Sequence, residues 1–318
     1  SPVALAVDGV RQAGKSDKVN PDDRWHIGSC AKSMTAVLVA RLVSEGKLSW
    51  DSKPADVLPE LNGKIHLDYA NATLRQILLM RAGLPGVESR DELAALPPVS
   101  GTPREQRRAI SGYVLSLPAG NTPGEAAYSN ASYVVATAMA EAVAGDTWEN
   151  MIRNRVLKPI GADGSLRFGW PAKGDANAVF GHVPHGDTWT VHDPNNVSEQ
   201  IPAFGAPAGD ISLNLRDWAR WAQADLRGQR GASTALPTDV WRAVHQGESF
   251  ATGTTLAMGW VESTIKGSKA SVFTGSADTF YAGITIQPDR DQAVLVITNA
   301  SFEKAETALT ELNDGLTK

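Results

Sequence analysis

A serine hydroxyl becomes a useful nucleophile only when a neighbour takes its proton, and a lysine of depressed pKa can do that. Ser29 and Lys32 stand three residues apart in Ser29-Cys30-Ala31-Lys32. Behind them Met34, Val37, Leu38 and Leu42 recur at helical spacing and Gly46 supplies a stop, so a helix is predicted over 29–45. That spacing places Lys32 on the face of Ser29, and the helix N-terminus offers free N–H groups to a developing oxyanion. The pattern does not stand alone, because Ser44-Lys47, Ser263-Lys266 and Ser301-Lys304 repeat it. Ser44 ends a helix and Ser263 lies near a strand end. Ser301 opens a helix but has no companion motif. Taken by itself, Ser29 also reads as an ordinary N-capping serine.

Tyr128-Ser129-Asn130 supplies a second group of the right chemistry. A tyrosine beside a lysine can share its proton and relay it to a leaving group, and an asparagine amide can orient a substrate carbonyl. Tyr69-Ala70-Asn71 has the same spacing, so this motif too needs context. His26 precedes the serine but reads as structural, since Lys32 already provides a base. His182, His185 and His192 are irregularly spaced without clustered acids, which argues against a metal site. No G-x-S-x-G elbow occurs, against a Ser-His-Asp enzyme of the α/β-hydrolase type.

The elements that must hold these groups follow from periodicity and turn residues. A first strand is expected over Val3–Val7, ended by Asp8-Gly9. Helices are expected from Thr73, over 131–143, 147–156 and 214–226. Strands are expected over 256–263, 270–274, 280–286 and 293–298, with a turn at 287–291. A last helix covers 302–312, with Gly315 as its stop. The predicted class is α/β of the α+β type: a mostly antiparallel sheet from both termini, flanked by helices, with an all-helical region inserted. The corresponding domains are 1–72 with 255–318, and 73–254, with the active site in the cleft between them. The stretch 85–103 reads as a long loop of functional length.

The order of segments resembles the serine β-lactamase and penicillin-binding-protein-like hydrolases, in particular class C β-lactamases, family VIII carboxylesterases and related D-amino-acid peptidases. The segments carrying the resemblance are Trp25 to Ala36, Glu45-Gly46-Lys47-Leu48, Leu58-Pro59-Glu60, Thr73 to Leu78 and Gly83-Leu84-Pro85-Gly86. Pro123-Gly124 before Tyr128-Ser129-Asn130, then Tyr133, Lys158-Pro159-Ile160-Gly161 and Pro207 to Ser212 complete the set. The resemblance selects Ser29 and Tyr128 over their internal competitors. It implies Ser29, Lys32 and Tyr128 as catalytic residues, and Asn130, Phe273, Thr274, Gly275 and Ser276 as substrate-binding ones. By the same resemblance the backbone N–H groups of Ser29 and Ser276 form the oxyanion hole. Phe273 departs from the family pattern, which has Lys or His there. A phenyl ring brings no positive charge to the serine or to a substrate carboxylate. The expectation is therefore an acyl-enzyme hydrolase of uncharged esters or amides. β-Lactamase or D-amino-acid peptidase activity is the alternative, and an acylated sensor without turnover a further one.

Composition limits the partners. The 318 residues suffice for a full core, and the net charge of −5 is spread without a basic or acidic run, against a nucleic-acid surface. Cys30 is the only cysteine, which leaves no internal disulfide and no cysteine metal cluster. No cofactor or metal is called for. No apolar run is long enough to span a membrane. The expected partner is a small ester, amide or peptide-like substrate. Compartment and oligomeric state stay open, with a periplasmic or secreted setting favoured over the cytoplasm; the abrupt start at Ser1 is compatible with a removed leader.

Overall fold

The computed structural model describes residues 4–171, 175–186, 188–193, 200–232, 234–251 and 253–317. Its strands are β1 (Arg24–His26), β2 (Arg167–Phe168), β3 (His182–His185), β4 (Thr188–Val191), β5 (Ile211–Asn214) and β6 (Glu248–Ala251). They continue with β7 (Thr254–Ala257), β8 (Trp260–Ile265), β9 (Ser268–Ser276), β10 (Tyr281–Gln287) and β11 (Gln292–Thr298). β6 to β11 form an antiparallel meander in chain order; β5 lies between β1 and β2, and β3 pairs with β4. The mixed α/β class with antiparallel sheets is the one read from the sequence, but the region expected to be all-helical, 73–254, contains β2 to β6.

Two helices are buried on nearly every side, one carrying Lys32 and the other Asn130, with Ser29 and Tyr128 just ahead of them. Helix Ala31–Ser44 is buried from Ala31 through Ala40, and helix Asn130–Ala144 from Ala131 through Glu141. Their sequences are apolar or small all round, as central helices require. They pack against each other and hold Lys32 and Asn130 on facing first turns. Helix Glu303–Leu316 covers β10 and β11.

Several local expectations change. Residues 4–7 form no strand, and Val3 lies outside the described residues. This segment finds no ladder partner; Val7 instead rests on a small cluster with Trp25, Trp170 and Phe280. The large sheet comes from 248–298, and the N-terminal part gives β1 to a second sheet. The single strand expected over 256–263 is a hairpin, β7–β8, turning at Gly259 (φ 77). A Cβ at Gly259 would lie 2.6 Å from Ser33 N, so the hairpin tip presses directly on the Lys32 helix. The 85–103 stretch contains the short helix Arg90–Ala94, started by a Ser89/Glu92 capping box. Gly315 sits inside the last helix instead of ending it.

Behind the sheet, His245 is wedged between two carboxylates: Nδ1 lies 2.7 Å from Glu262 and Nε2 2.9 Å from Asp225. Burial alone would depress its pKa, but the two carboxylates outweigh it and hold His245 up at about 9. A folded-state pKa above the ordinary 6.5 means the stabilisation is complete below 6.5 and is lost as pH rises through about 9. Going from pH 6 to 10, wild type is expected to lose on the order of 3 kcal/mol relative to His245→Gln. Urea unfolding of both proteins across that range measures the difference; parallel pH curves would refute it.

Candidate active site

The nucleophile turn is built by backbone contact. β1 ends at His26, Ile27 N–H bonds Ile211 O at 3.0 Å, and Gly28 (φ 52) swings the chain into the short 3-10 turn Gly28–Cys30 that starts helix Ala31–Ser44. Strand β9 lies flat against this turn. A Cβ on Gly28 would be 2.8 Å from Ser276 N; one on Gly275 would be 2.8 Å from Ser29 N and would run into Ile27 O. Two glycines facing each other therefore bring the Ser29 and Ser276 backbones together.

His26 fastens the turn from beneath. Its Nδ1 accepts Gly28 N–H at 3.2 Å, which leaves Nε2–H to donate to Asp210 Oδ1 at 2.9 Å, the neutral tautomer. The ring stacks on Trp170 with centroids 4.4 Å apart. It is buried and turned away from the Ser29 hydroxyl, in keeping with a structural part.

Lys32 is completely buried, and its Nζ reaches Ser29 Oγ (3.0 Å), Tyr128 OH (2.6 Å), Asn130 Oδ1 (2.7 Å) and Ala208 O (2.6 Å). Ser29 Oγ and Tyr128 OH are themselves 2.6 Å apart. Burial pulls the Lys32 pKa down to about 7, against the opposing field of the Glu88 carboxylate. A neutral amine has two N–H donors and one lone pair. Asn130 Oδ1 and Ala208 O can only accept, so they take both donors. The lone pair is left facing the two hydroxyls. Burial pushes Tyr128 up to about 12 despite its bond from Ser29, so the phenol keeps its proton near neutrality.

Asn130 is held on three counts. Its N–H bonds Gly86 O at 2.7 Å, its Nδ2 donates to Val87 O at 2.9 Å, and its Oδ1 takes Lys32. Val87 is a β-branched residue at φ 52, a strained conformation that aims its carbonyl at Asn130. Ser129 caps the helix by accepting Ser132 N–H at 3.0 Å.

β9 pairs with β10 as far as Ser276, but with β8 only as far as Val272. Residues 273–276 thus have one edge without a β8 partner, a place where an extended substrate backbone can bond. Thr274 and Ser276 are exposed, Gly275 is covered by the nucleophile turn, and Phe273 is only 7% exposed, packed into the core. The cleft, about 200 Å³, is lined by Ser29, Asn130 and Ser276 among others, and the Phe273 ring is absent from its lining.

The internal competitors lie elsewhere. Tyr69 is buried with its OH on Gly83 O at 3.2 Å, and Ser44 bonds Asp239 at the surface. Ser301 does approach Ser276 Oγ (3.0 Å), but it donates to Glu306 at 2.9 Å, and Lys304 is exposed. His182 is tied between Ala13 N–H and Asn299 O. Among the described residues no group of His, Cys, Asp or Glu is arranged to hold a metal ion. Sequence reasoning missed the Ala208 carbonyl, the Asp210 partner of His26 and the place of Glu88 in the cleft. The first is a backbone atom, and the others depend on pairing between distant segments.

A Ser-Lys-Tyr cluster with its lysine buried, set between an antiparallel sheet and central helices, defines a class of protein, the β-lactamase-fold serine hydrolases. The beta-lactamase family model matches residues 2–316, and the chain belongs to that family. It is 26% identical to an unguisins hydrolase of Aspergillus campestris over 92% of its own length and 55% of that protein's. It is 22% identical to protein flp of Staphylococcus aureus strain COL, over 96% of this chain and 58% of the other. The chain thus spans little more than half the length of these curated relatives. Among solved structures, a D-stereospecific amidohydrolase from Streptomyces sp. superposes with a TM-score of 0.75 at 20% identity, covering 95% and 90% of the two chains. A class C beta-lactamase from Rhodobacter sphaeroides gives 0.74 at 20% identity, covering 96% and 88%. At that identity these two speak for the fold alone.

Proposed function

We propose that this chain hydrolyses esters or amides through an acyl-enzyme on Ser29, with a carboxylesterase-like preference for acyl groups that carry no carboxylate. The observation that carries the reading is the buried Lys32 amine, its two donors occupied and its lone pair turned to Ser29 and Tyr128. Lys32, directly or through Tyr128, takes the Ser29 proton as Oγ bonds to the carbonyl carbon. The oxyanion forms at the Ser29 and Ser276 N–H groups. Collapse expels the alcohol or amine, which receives the proton back from Lys32 and Tyr128. Water, deprotonated by the same pair, then releases the acid and restores Ser29. Thr274 and the free edge of β9 are contacts for the acyl chain. Phe273 in the core supplies no cation for a substrate carboxylate, which separates this reading from β-lactamase or D-peptidase chemistry.

The test is a panel of p-nitrophenyl esters, anilides and a chromogenic cephalosporin on wild type and Ser29→Ala, with intact-mass spectrometry. Transient Ser29 adducts with ester turnover are expected. A permanent adduct would indicate the sensor, faster cephalosporin than ester hydrolysis the β-lactamase, and ester hydrolysis unchanged in Ser29→Ala would sink the proposal.

A further inference from the structure

Resting on that reading, we propose that Thr35 is a positioning residue for the reaction. Its hydroxyl holds the carbonyl of Pro207 and thereby fixes the next carbonyl, Ala208 O, which aims the Lys32 lone pair at Ser29.

Lys32 and Thr35 lie one turn apart on the same helix, and they bond consecutive carbonyls of one segment. Lys32 Nζ donates to Ala208 O at 2.6 Å, and Thr35 Oγ1 donates to Pro207 O at 2.8 Å. Both side chains are completely buried. The two carbonyls belong to the short helix Ala206–Gly209, whose end carbonyls have no N–H partner within the helix itself. A helix of 4 residues takes its place from what surrounds it. Ahead of it Ala203 O accepts Arg107 Nη1 at 3.1 Å, and behind it Asp210 Oδ1 accepts His26 Nε2–H at 2.9 Å. Between these two ties, Thr35 and Lys32 fasten the segment to the nucleophile helix. The direction of the Thr35 bond is settled by its other neighbour. Trp148 Nε1 lies 3.1 Å from Thr35 Oγ1, and an indole N–H only donates, so Oγ1 accepts from Trp148 and gives its own proton to Pro207 O.

Lys32 depends on this clamp in two ways. A neutral amine points its lone pair wherever its two N–H bonds leave it, so moving one acceptor turns the lone pair off Ser29 Oγ and Tyr128 OH. A carbonyl acceptor also favours the charged amine over the neutral one, because bonds from a charged donor are stronger. Removing the Thr35 hydroxyl leaves Pro207 O unpaired in a buried site. The peptide turns to relieve it, and Ala208 O moves with it. The titratable groups facing Lys32 are Tyr128, whose OH is 2.6 Å away, Tyr133, whose ring centroid is 5.5 Å away, Cys30 and the Glu88 carboxylate. None of them bonds Thr35, so a change at Thr35 reaches Lys32 through the 207–208 backbone.

Thr35→Val keeps the volume of the side chain and removes the hydroxyl, while Thr35→Ser keeps the hydroxyl and removes a methyl. The kcat/KM for p-nitrophenyl acetate is followed from about pH 5 to about pH 9 on wild type, both variants and Ser29→Ala, beside urea unfolding. In Thr35→Val the plateau should fall about ten- to a hundredfold, and the midpoint of the limb should drop below the wild-type value of about 7. Thr35→Ser should bring the midpoint back and the plateau to within about threefold of wild type. Should Thr35→Val not fold, Thr35→Ala carries the same expectation. A hydroxyl with a merely structural part would lower the urea midpoint and leave the pH profile where it is. Ser29-dependent release with the wild-type limb and a plateau within about twofold in the variant lacking the hydroxyl would therefore overturn this inference alone. No Ser29-dependent release in wild type would overturn the hydrolase reading and this inference with it.

Discussion

Lys32→Met is expected to lower kcat/KM for esters by roughly 10³- to 10⁴-fold while the protein stays folded. Methionine fills nearly the same volume in a site that is fully buried, but it has no lone pair for the Ser29 proton. Tyr128 cannot take over, because its pKa of about 12 keeps it protonated. Nor can His26, whose two ring nitrogens are committed to Gly28 and Asp210. The pH dependence gives a second readout. With Lys32 near 7, wild-type kcat/KM should rise tenfold per unit below about pH 7 and level off above it. The residual rate of Lys32→Met should not show that limb. Stability has its own sign: a lysine whose folded pKa is depressed from 10.5 to about 7 is protonated more in the unfolded chain, so folding gains stability as pH rises between those values. A loss smaller than about tenfold, or a limb that persists in the variant, would move the base to another residue.

What the sequence makes legible is whatever repeats locally. The helix behind Ser29 is readable because Met34, Val37, Leu38 and Leu42 keep its period, and the start at Ala31 follows one short turn after the serine. β9, β10 and β11 announce themselves by their β-branched and apolar content and the Pro288–Arg290 turn between the last two. The β7–β8 hairpin is not legible in the same way. Its apolar run continues across Met258-Gly259, and only the pressure of that glycine on Ser33 shows why the chain must turn there. The expected first strand fails over residues 4–7 for the converse reason: the residues suit a strand, but a strand also needs a free edge in reach. At the site, Ser29, Lys32, Tyr128 and Asn130 can be named from two motifs, yet each motif has decoys in the same chain. Proximity separates them, and proximity is a tertiary property. The clamp on Lys32 by Ala208 O, the brace of His26 on Asp210 and the aim of Glu88 arise where segments more than 50 residues apart in sequence meet. Phe273 is the instructive intermediate case. The sequence shows that charge is missing there; the fold adds that the ring turns into the core, so that Ser276 and Ala277, not Phe273, line the cleft on that side.

Gly275→Ala is expected to cost about 10²- to 10³-fold in kcat and about 1–3 kcal/mol of stability, although the change adds only one methyl group. The reason is what the methyl would meet. It would lie 2.8 Å from Ser29 N and 2.9 Å from Cys30 N, and would overlap Ile27 O. These are backbone atoms of a turn fixed by β1, by the Ile27–Ile211 bond and by His26 under Gly28, so none can give way as a side-chain tip could. Strand β9 must instead lift from the turn. That separates Ser276 N–H from Ser29 N–H, the two donors assigned to the oxyanion. Ser29, Lys32 and Tyr128 would keep their mutual distances, because they sit on the helical side of the cleft. The variant should therefore retain the wild-type pH limb near 7 and lose amplitude, the reverse of Lys32→Met. Ser276→Ala, which keeps the backbone donor, should stay within about threefold of wild type. Burst kinetics with p-nitrophenyl esters and urea unfolding measure both halves of the prediction. Full activity in Gly275→Ala would mean that the strand contributes no oxyanion donor, and the transition-state charge would then have to be met from the helix side alone.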